Sequence, residues 1–445
     1  MMQSKTILRL LHSLCLVAVM AVSKPLFSQV ELSPDAQFSI LTCSPGNDLY
    51  SLFGHTAIRV QDMRNGKIMD LVFNYGTFDF TDDFYVKFAM GKLDYKLSIS
   101  HFGDFQKSYI DELRGIEEQP LLLNHAQRSH LWELLQANYK PENQAYRYDF
   151  FYDNCATRVR DIILLACQLS HDHPLADSIS THPEIDYSQE LNRVFPTGDD
   201  PSTRASLSND HSAIFTYNYP QAFSFREAID QYLMYQPWSD FGIDVALGMP
   251  CDRKVLPTQA MFLPDSLKLE FMHARAENKP LVGRTEDLLF NENEWVAPRF
   301  FTPFWIFSLI LIALIAAACA RRAHWTHYSV FDRLILITCG LVGVLVTFLW
   351  FVTDHHGTVN NLNILWAHPL WLLLAMVRAK SKIAYRLALA CGSFLVLTIL
   401  AFAWLPQALH IATLPLMLGC LLICAKIIFA HRKAGYHSQQ LVSSL

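Results

Sequence analysis

The stretch FTPFWIFSLILIALIAAAC, residues 301–319, divides the chain into two parts of different composition. As a helix rising 1.5 Å per residue, it is long enough to cross about 30 Å of hydrocarbon. From residue 301 onward the chain has ten Lys or Arg and two acids, a net charge of +8. The preceding residues hold 26 basic and 39 acidic side chains, a net charge of −13. The overall charge of −5 is therefore an average over a membrane part and a water-exposed part.

Five apolar stretches predict an all-α domain of five transmembrane helices over residues 300–445. They cover residues 301–319, 334–352, 364–377, 387–404 and 408–430. The third is short, but if all five cross, every basic group between and after them faces the cytoplasm, as the positive-inside bias requires. These groups are Arg321, Arg322, Arg333, Arg378, Lys380, Lys382, Arg386, Arg432 and Lys433. We therefore expect a multi-pass protein of the inner membrane whose preceding residues lie in the periplasm.

The N-terminus also predicts export. Lys5 and Arg9 precede an apolar run, and Ala21-Val22-Ser23 is typical of a signal-peptide cleavage site, with an uncleaved anchor as the alternative. Before the membrane domain we expect three segments: a signal peptide, a catalytic domain and an extension with a lid or linker, at residues 1–23, 24–170 and 171–299. The balanced charge excludes a nucleic-acid binder that depends on a large basic field.

Residue patterns over 24–170 predict an α+β domain. Alternating apolar residues indicate strands, and Asn65-Gly66 indicates a tight hairpin between two of them. Strands are expected at residues 38–42, 54–60, 68–75, 93–100 and 146–152. Helical periodicity follows Asn124, a predicted N-cap, and resumes after Asn154. In the extension, Ser224 is predicted to cap a helix that runs to Tyr235.

Two short motifs carry the predicted chemistry. His55 begins a strand, and Cys155 lies where an aromatic segment gives way to a helix. A thiol at a helix N-terminus lies among unpaired backbone N–H groups, which favour the reactive thiolate and can also stabilise an oxyanion. We predict that Cys155 is a nucleophile and that His55 is its general base.

Other polar residues complete the predicted site. Asn74 is the candidate for orienting the imidazole of His55, with Asp79 behind it. The expected substrate contacts are Tyr75, Asn154, Arg158 and, from a polar external loop of the membrane domain, His355 and Asn363. Arg147, Arg158 and Arg160 flank the cysteine and are suited to phosphate. No metal or nucleotide cofactor is expected. Cys43, Cys167 and Cys251 leave room for at most one disulfide in the exported domain.

At these motifs the sequence resembles the Lnb-type lipoprotein N-acyltransferases. The resemblance covers most of the mature chain, and it is carried by FGHTAIRV (53–60), FNYGTFDF (73–80), YDFFYDNCATRVRD (148–161), FGIDVALG (241–248), MFLPD (261–265) and the loop 354–366. The order of His55 before Cys155 is also similar to permuted papain-like acyltransferases of the lecithin:retinol acyltransferase kind. This resemblance implies a papain-like thiol domain in which Cys155 and His55 match the family's nucleophile and base.

The resemblance further implies lipoprotein maturation. An acyl chain from a membrane phospholipid passes through a thioester on Cys155 to the α-amine of a lipoprotein's N-terminal cysteine. The partners are then the phospholipid donor, a diacylated lipoprotein acceptor and the bilayer itself. Two alternatives remain open: a membrane-anchored periplasmic cysteine peptidase or amidase that uses the same pair, and a nonenzymatic envelope protein.

Overall fold

The computed structural model describes residues 32–64, 66–79, 81–172, 223–255, 257–276, 279–291, 297–320 and 329–443. The predicted signal peptide and most of the predicted lid or linker lie outside these residues. A seven-stranded antiparallel sheet forms the centre of the exported domain, in the order β6-β4-β3-β2-β1-β5-β9. Its strands are β1 Gln37–Cys43, β2 His55–Arg64, β3 Lys67–Thr77, β4 Asp94–His101, β5 Ile116–Pro120, β6 Ala145–Arg147 and β9 Glu286–Leu289. A separate two-stranded sheet pairs β7 Arg275–Ala276 with β8 Lys279–Pro280.

The sheet confirms four of the five predicted strands and corrects the fifth. β2 and β3 pair in register from Ile58↔Phe73 to Arg64↔Lys67, which places a tight turn at the predicted hairpin. The aromatic segment after Tyr146 is not a strand beyond Arg147. Asp149 instead accepts the backbone N–H groups of Phe151 and Tyr152, at 2.9 and 3.0 Å, and so turns the chain toward Cys155.

Helices cover both faces of the sheet. Those of the catalytic domain are α1 Phe84–Ala89, α2 Phe102–Asp111, α3 His125–Tyr139, α4 Pro141–Gln144 and α5 Cys155–Asp172. The apolar sides of α3 and α5 pack with Ile40, Ile58 and Phe73 in the main core, and α2 packs on the opposite face through Phe105 and Tyr109. The predicted cap is confirmed, since Asn124 and Gln127 form a reciprocal capping box.

The described part of the extension packs directly on the catalytic domain. Its helices are α6 Phe225–Leu233, α7 Pro237–Ala246, α8 Pro257–Ala260 and α9 Pro264–His273. Ser224 caps α6 as predicted, although the helix ends two residues before Tyr235. Because β9 pairs with β5, the extension also supplies an edge strand of the central sheet.

Four helices of the membrane region are long and apolar enough to cross a bilayer among the described residues. These are α10 Pro303–Ala320, α11 Val330–Phe351, α13 Lys382–Ala401 and α14 Thr413–Ser443. The third predicted span is not a full helix: it contains a 3₁₀ turn, Leu362–Leu365, and the seven-residue helix α12 Leu370–Met376. Polar residues and Pro369 before α12 keep this stretch from forming a long helix. Four of the five predicted spans are therefore long helices, and the third, predicted to be short, is a 3₁₀ turn followed by α12 and not one continuous helix.

The third stretch nevertheless runs along the whole length of α11. Thr358 donates to Leu349 O at the outer end of α11, at 2.8 Å. Arg333, near the other end of α11, donates to Ala375 O at 3.1 Å. Because Leu349 and Arg333 are about 24 Å apart at 1.5 Å per helical residue, the short helix and its leading loop pass from one end of the bundle to the other.

Candidate active site

His55 and Asn74 come together at one end of the sheet. His55 is the first residue of β2, and Asn74 lies on the neighbouring strand β3, where the pairing of β3 with β4 shifts between Asn74 and Thr77. His55 Nε2 lies 2.6 Å from Asn74 Oδ1. Since an amide oxygen only accepts, Nε2 carries the proton in this contact and Nδ1 is left to act as a base. The geometry agrees with the orienting role predicted for Asn74.

Cys155 is held at the first turn of α5 by its neighbour Asn154. Asn154 Oδ1 accepts the backbone N–H groups of Ala156 and Thr157, at 2.9 and 3.0 Å. Its Nδ2 donates to Phe150 O and Phe262 O, both at 2.8 Å. Because all these bonds fix the start of the helix, Asn154 positions the nucleophile, and its amide is committed within the protein rather than to a substrate.

Electrostatics favour a thiolate–imidazolium pair. Burial by itself would raise the pKa of Cys155, but the charge of His55, a hydrogen bond from its ring and the backbone N–H groups of Thr56 and Ala156 bring the pKa below the ordinary thiol value. Burial would likewise lower the pKa of His55. The negative charge of the Cys155 thiolate and the hydrogen bonds to Cys155 and Asn74 nevertheless raise it. Each shift stabilises the charged form of its group, so proton transfer from thiol to imidazole is favoured.

Gly76 leaves open the space between the catalytic side chains. Its φ of +87° is in the left-handed region, which glycine adopts without strain. A Cβ at this position would lie 3.8 Å from Cys155 Cβ, 3.9 Å from His55 Cε1 and 4.0 Å from Tyr146 Oη. The bulged end of β3 therefore brings backbone without a side chain against the reacting groups.

Three predicted contacts are occupied by other partners. Arg158 makes a two-pronged ion pair with Asp153, at 2.6 and 3.0 Å, and its guanidinium lies 3.5 Å above the Tyr146 ring. Tyr75 is fully buried, is not among the residues that line the cavity, and donates to Asn138 Oδ1 at 2.7 Å. Exposed Asp79 pairs with half-buried Lys96 at 2.6 Å, so its carboxylate is engaged there.

The catalytic pair opens into a cavity of about 1490 Å³ between the exported and membrane domains. Aromatic and aliphatic side chains from several elements line it, among them Phe53, Phe78, Phe84, Phe88, Leu93 and Leu247. Asn154 and Arg158 border it beside Cys155. Such a space, with apolar walls and a few convergent polar groups, is typical of a site for a large apolar ligand.

The membrane-domain loop after α11 forms one wall of this cavity, and His355 lies there as predicted. His355 Nε2 is 3.2 Å from Phe88 O, and the N–H of Asp354 donates to Met90 O at 2.9 Å. His356 Nδ1 lies 3.1 Å from a carboxylate oxygen of Asp149, the residue that turns the chain into the Cys155 helix. The catalytic loop and the membrane domain are thus directly joined.

Asn363 lies elsewhere. It is buried beneath the cavity, where it donates to the carbonyls of Asp244 and Val245 at 3.1 and 3.2 Å and accepts from Trp366 Nε1 at 2.7 Å. Its neighbour Asn361 similarly bonds Val245 O and Ala246 O. Asn363 therefore anchors the end of α7 to the membrane domain, and its side chain does not line the cavity.

The pairing of the cysteines was left open by the sequence, whereas no metal site was expected. Cys43 and Cys251 carry free thiols, as does Cys155. Burial raises the pKa of Cys43 and of Cys251 to about 12, so neither competes with Cys155 as a nucleophile near neutral pH. Among the described residues, the group with metal-like proximity is Asp230, Asp240 and Asp244, whose carboxylates lie within 4.8 Å of one another but not on the cavity wall.

Sequence reasoning missed three residues at the site. Asp149 and His356 connect the catalytic loop to the membrane domain, and Arg114 lines the cavity from the loop between α2 and β5. The run Asp354-His355-His356 was a visible signal of a polar external loop. No pattern in the sequence around Arg114 links it to the motifs of His55 and Cys155. Its place in the cavity wall depends on the pairing of β1 with β5.

Comparisons with known proteins match both halves of this architecture. Residues 28–183 match the family described as the Lnb N-terminal periplasmic domain, and residues 295–434 match the Lnb transmembrane domain. No curated protein and no solved structure matches the chain. The first match contains His55, Asn74 and Cys155, and the second contains the loop that closes their cavity. The chain therefore belongs to the Lnb family, with its periplasmic domain followed by its multi-span membrane domain.

Proposed function

We propose that this protein is a lipoprotein N-acyltransferase that moves an acyl chain from a membrane phospholipid, through a thioester on Cys155, to the α-amine of a lipoprotein's N-terminal cysteine. Membership of the Lnb family indicates the broader class, a membrane enzyme that modifies lipoproteins. The observation that carries the proposal is the shared cavity: its walls hold Cys155 and His55 together with the loop 354–358 of the membrane domain.

The first half-reaction forms the thioester. The Cys155 thiolate attacks an ester carbonyl of the phospholipid, and the positive end of the α5 helix dipole favours the negative charge that develops on the carbonyl oxygen. The carbon–oxygen bond of the ester then breaks. Protonated His55 gives its proton to the departing glycerol oxygen, which leaves as a lysophospholipid. Asn74 holds the imidazole by accepting from Nε2, so that Nδ1 serves the reacting atoms.

The second half-reaction transfers the acyl group to the acceptor. An α-amino group has a pKa of about 8, so a substantial part is neutral near physiological pH and can attack the thioester. His55 takes the proton that the amine loses, and the bond between the acyl carbon and Cys155 Sγ breaks to restore the thiolate. The apolar cavity walls limit water, which would otherwise hydrolyse the thioester.

In this proposal the membrane domain brings the active site to both substrates. Its basic loops are expected in the cytoplasm and the catalytic domain in the periplasm, at the outer surface of the inner membrane. Both the phospholipid and the lipid-bearing acceptor lie in that surface. A membrane-anchored peptidase or amidase with the same Cys and His would need only one anchor, and not a cavity walled partly by a multi-span domain.

Mass spectrometry of lipoprotein N-termini tests the proposal. Cells with the wild-type protein should carry the N-linked acyl chain, and cells with Cys155→Ser should lose it. Cys319→Ser, which changes an exposed thiol of α10 outside the cavity, is the matched control and should retain it. Undiminished N-acylation in Cys155→Ser cells would reject the mechanism. Cleavage of a peptide by the purified protein, without acyl transfer, would favour the peptidase or amidase alternative.

A further inference from the structure

Arg114 is a buried cation with an unused donor in the wall of the catalytic cavity. Arg114 as a whole is 5% exposed to solvent. Nε donates to Ser44 O and Nη1 to Glu112, both at 2.8 Å, whereas Nη2 has no hydrogen-bond partner among the residues that the structure describes. Buried polar atoms without partners are uncommon because each forfeits the free energy of its hydration. Nη2 is therefore expected to donate to a ligand.

The loop 44–51 is shaped around this guanidinium. Gly46 closes it by donating to Ser51 O at 2.8 Å. A Cβ on Gly46 would lie 2.4 Å from Ser51 Oγ and 3.2 Å from Arg114 Cδ, so only glycine permits this close approach. Together with the stacking of the guanidinium 4.6 Å from the Tyr109 ring centre, these contacts hold Arg114 in one position.

Arg114 also lies near the catalytic pair, because it donates to the carbonyl of Ser44, the residue that follows the strand partner of His55. Its positive charge opposes protonation of His55, and it lies beside Cys43, which pairs with His55 across β1 and β2. The cavity wall includes Arg114, Cys155 and His55 together. A ligand anion bound by Arg114 would therefore place its neighbouring atoms near the thiol.

The other arginines proposed for phosphate are occupied. Arg158 is paired on two atoms with Asp153, and Arg160 with Asp161 and Thr258 O. Arg147 lies near the acids Asp94 and Asp354. Among the residues that the structure describes, Arg114 is the one of these four arginines with a buried N–H group that lacks a hydrogen-bond partner.

The surroundings of Arg114 suit an anion that carries apolar chains. Leu49 and Tyr50 belong to the loop that surrounds Arg114, line the same cavity and are 58% and 70% exposed. Large exposed apolar side chains at a cavity edge are typical of a lipid or protein contact. An arginine beside them combines anion recognition with contact to hydrocarbon.

We infer that Arg114 binds the phosphodiester of the acyl donor and so positions an ester carbonyl of the same molecule at Cys155. This inference rests on the proposed function and specifies its donor, a glycerophospholipid rather than a neutral glyceride. Arg114 is a substrate-binding residue in this assignment and does not take part in bond making. Phosphate oxygens match the planar guanidinium because charge-assisted N–H bonds to them are strong and directional.

The test compares two donors with the same acyl chains. Full-length protein in detergent is given either a phospholipid or the corresponding diacylglycerol, and acyl-thioester formation on Cys155 is followed by intact-protein mass spectrometry. Arg114→Gln should lower the ratio of the phospholipid rate to the diacylglycerol rate about tenfold, the factor expected for one lost charge-assisted hydrogen bond. Arg64→Gln, at the exposed end of β2, should leave this ratio unchanged.

The ratio separates recognition from folding. If Arg114→Gln slows both donors equally, its role is structural and the inference is overturned, as it is if neither rate changes. Glu112→Gln, which removes a carboxylate from the same guanidinium, should raise or preserve the ratio, and a tenfold fall would contradict the inference. If wild-type protein forms no thioester with either donor, the proposed function itself fails.

A further arm distinguishes lipid phosphate from free phosphate. Inorganic phosphate is added to the reaction with diacylglycerol. Because diacylglycerol has no phosphate group, it leaves the predicted anion position unoccupied. We expect the ratio of the wild-type rate to the Arg114→Gln rate to be the same with and without inorganic phosphate. A change confined to the wild-type protein would assign the position to free phosphate and overturn the assignment to the donor.

Discussion

Cys155 owes its expected reactivity to groups from three separate parts of the chain. His55 and Thr56 come from the start of β2, Asn74 from β3, and Ala156 from the helix that Cys155 begins. The imidazole charge and two backbone N–H groups outweigh the effect of burial, which alone would keep the thiol protonated. At this scale the active site is a charge balance that depends on contacts of a few ångströms.

The opposing effects of burial and of the imidazole charge predict how the alkylation of Cys155 depends on pH. Because its pKa is lowered and that of His55 is raised, the thiolate should persist as pH falls below the ordinary thiol pKa of about 8.5 and be lost only below the lowered value. Iodoacetamide labelling, measured by peptide mass spectrometry, should therefore continue at pH 7. In His55→Ala the midpoint should move upward. An unchanged midpoint in that variant would show that His55 does not support the thiolate.

At the scale of elements, the extension contains a group of closely spaced carboxylates where α6 meets α7. Burial, followed by the charges of Asp244 and Asp240, raises the pKa of Asp230 to about 7. Arg226 neutralises Asp244 at 2.5 Å, and His410 of the membrane domain faces Asp240 at 3.3 Å. The ionisation of Asp230 is thus opposed both by burial and by the charges of its two aspartate neighbours.

Asp230→Asn should stabilise the protein at high pH. The folded pKa lies above the ordinary aspartate value of about 3.9, so wild-type stability falls as pH rises through the interval from about 4 to about 7. Allowing for solvent screening, the variant should gain about 1 kcal/mol at pH 8 and less at pH 5. Thermal unfolding in detergent measures this, with exposed Asp104→Asn as the control. An equal gain at both pH values would contradict the assignment.

At the scale of the whole molecule, hydrogen bonds fasten both the catalytic domain and the extension to the membrane domain. At the cavity wall, Asp354, His355 and His356 bond the catalytic domain. At the base of the extension, the side-chain amides of Asn361, Asn363 and Gln407 donate to backbone carbonyls at the end of α7. These contacts hold the Cys155 helix over the end of the bundle.

The path of the third stretch predicts which side of the membrane each loop faces. Since this stretch runs along α11 and ends beside Arg333, residues 378–382 should lie on the cytoplasmic side. A membrane-impermeant maleimide should label Met63→Cys in intact spheroplasts, because Met63 is 68% exposed on the exported domain. Lys380→Cys should be labelled only after the membrane is opened. Labelling of Lys380→Cys in intact spheroplasts would reject the five-crossing topology.

Much of the architecture could be predicted because it depends on local patterns. Alternating residues of β2 and β3, the cap at Asn124 and the apolar runs of the membrane domain each act over a few turns or residues. Two departures from regular elements have local causes. The side chain of Asp149 captured backbone N–H groups and ended β6 early. Pro369 and its polar neighbours, which the sequence already shows, divide the short third stretch into a 3₁₀ turn and α12.

The amino-acid sequence by itself determined the division into two domains, the boundaries of most elements and the Cys155–His55 pair, because composition and periodicity record burial in water or lipid. Only the tertiary structure decided which polar groups meet. The antiparallel pairing of β2 with β3 set His55 on Asn74, and the first turn of α5 committed Arg158 to Asp153. The packing of β5 beside β1 brought Arg114 to the cavity wall, with Nη2 unpartnered among the described residues. Such contacts are decided by three-dimensional packing, in which a side chain bonds whichever partner the fold brings within reach.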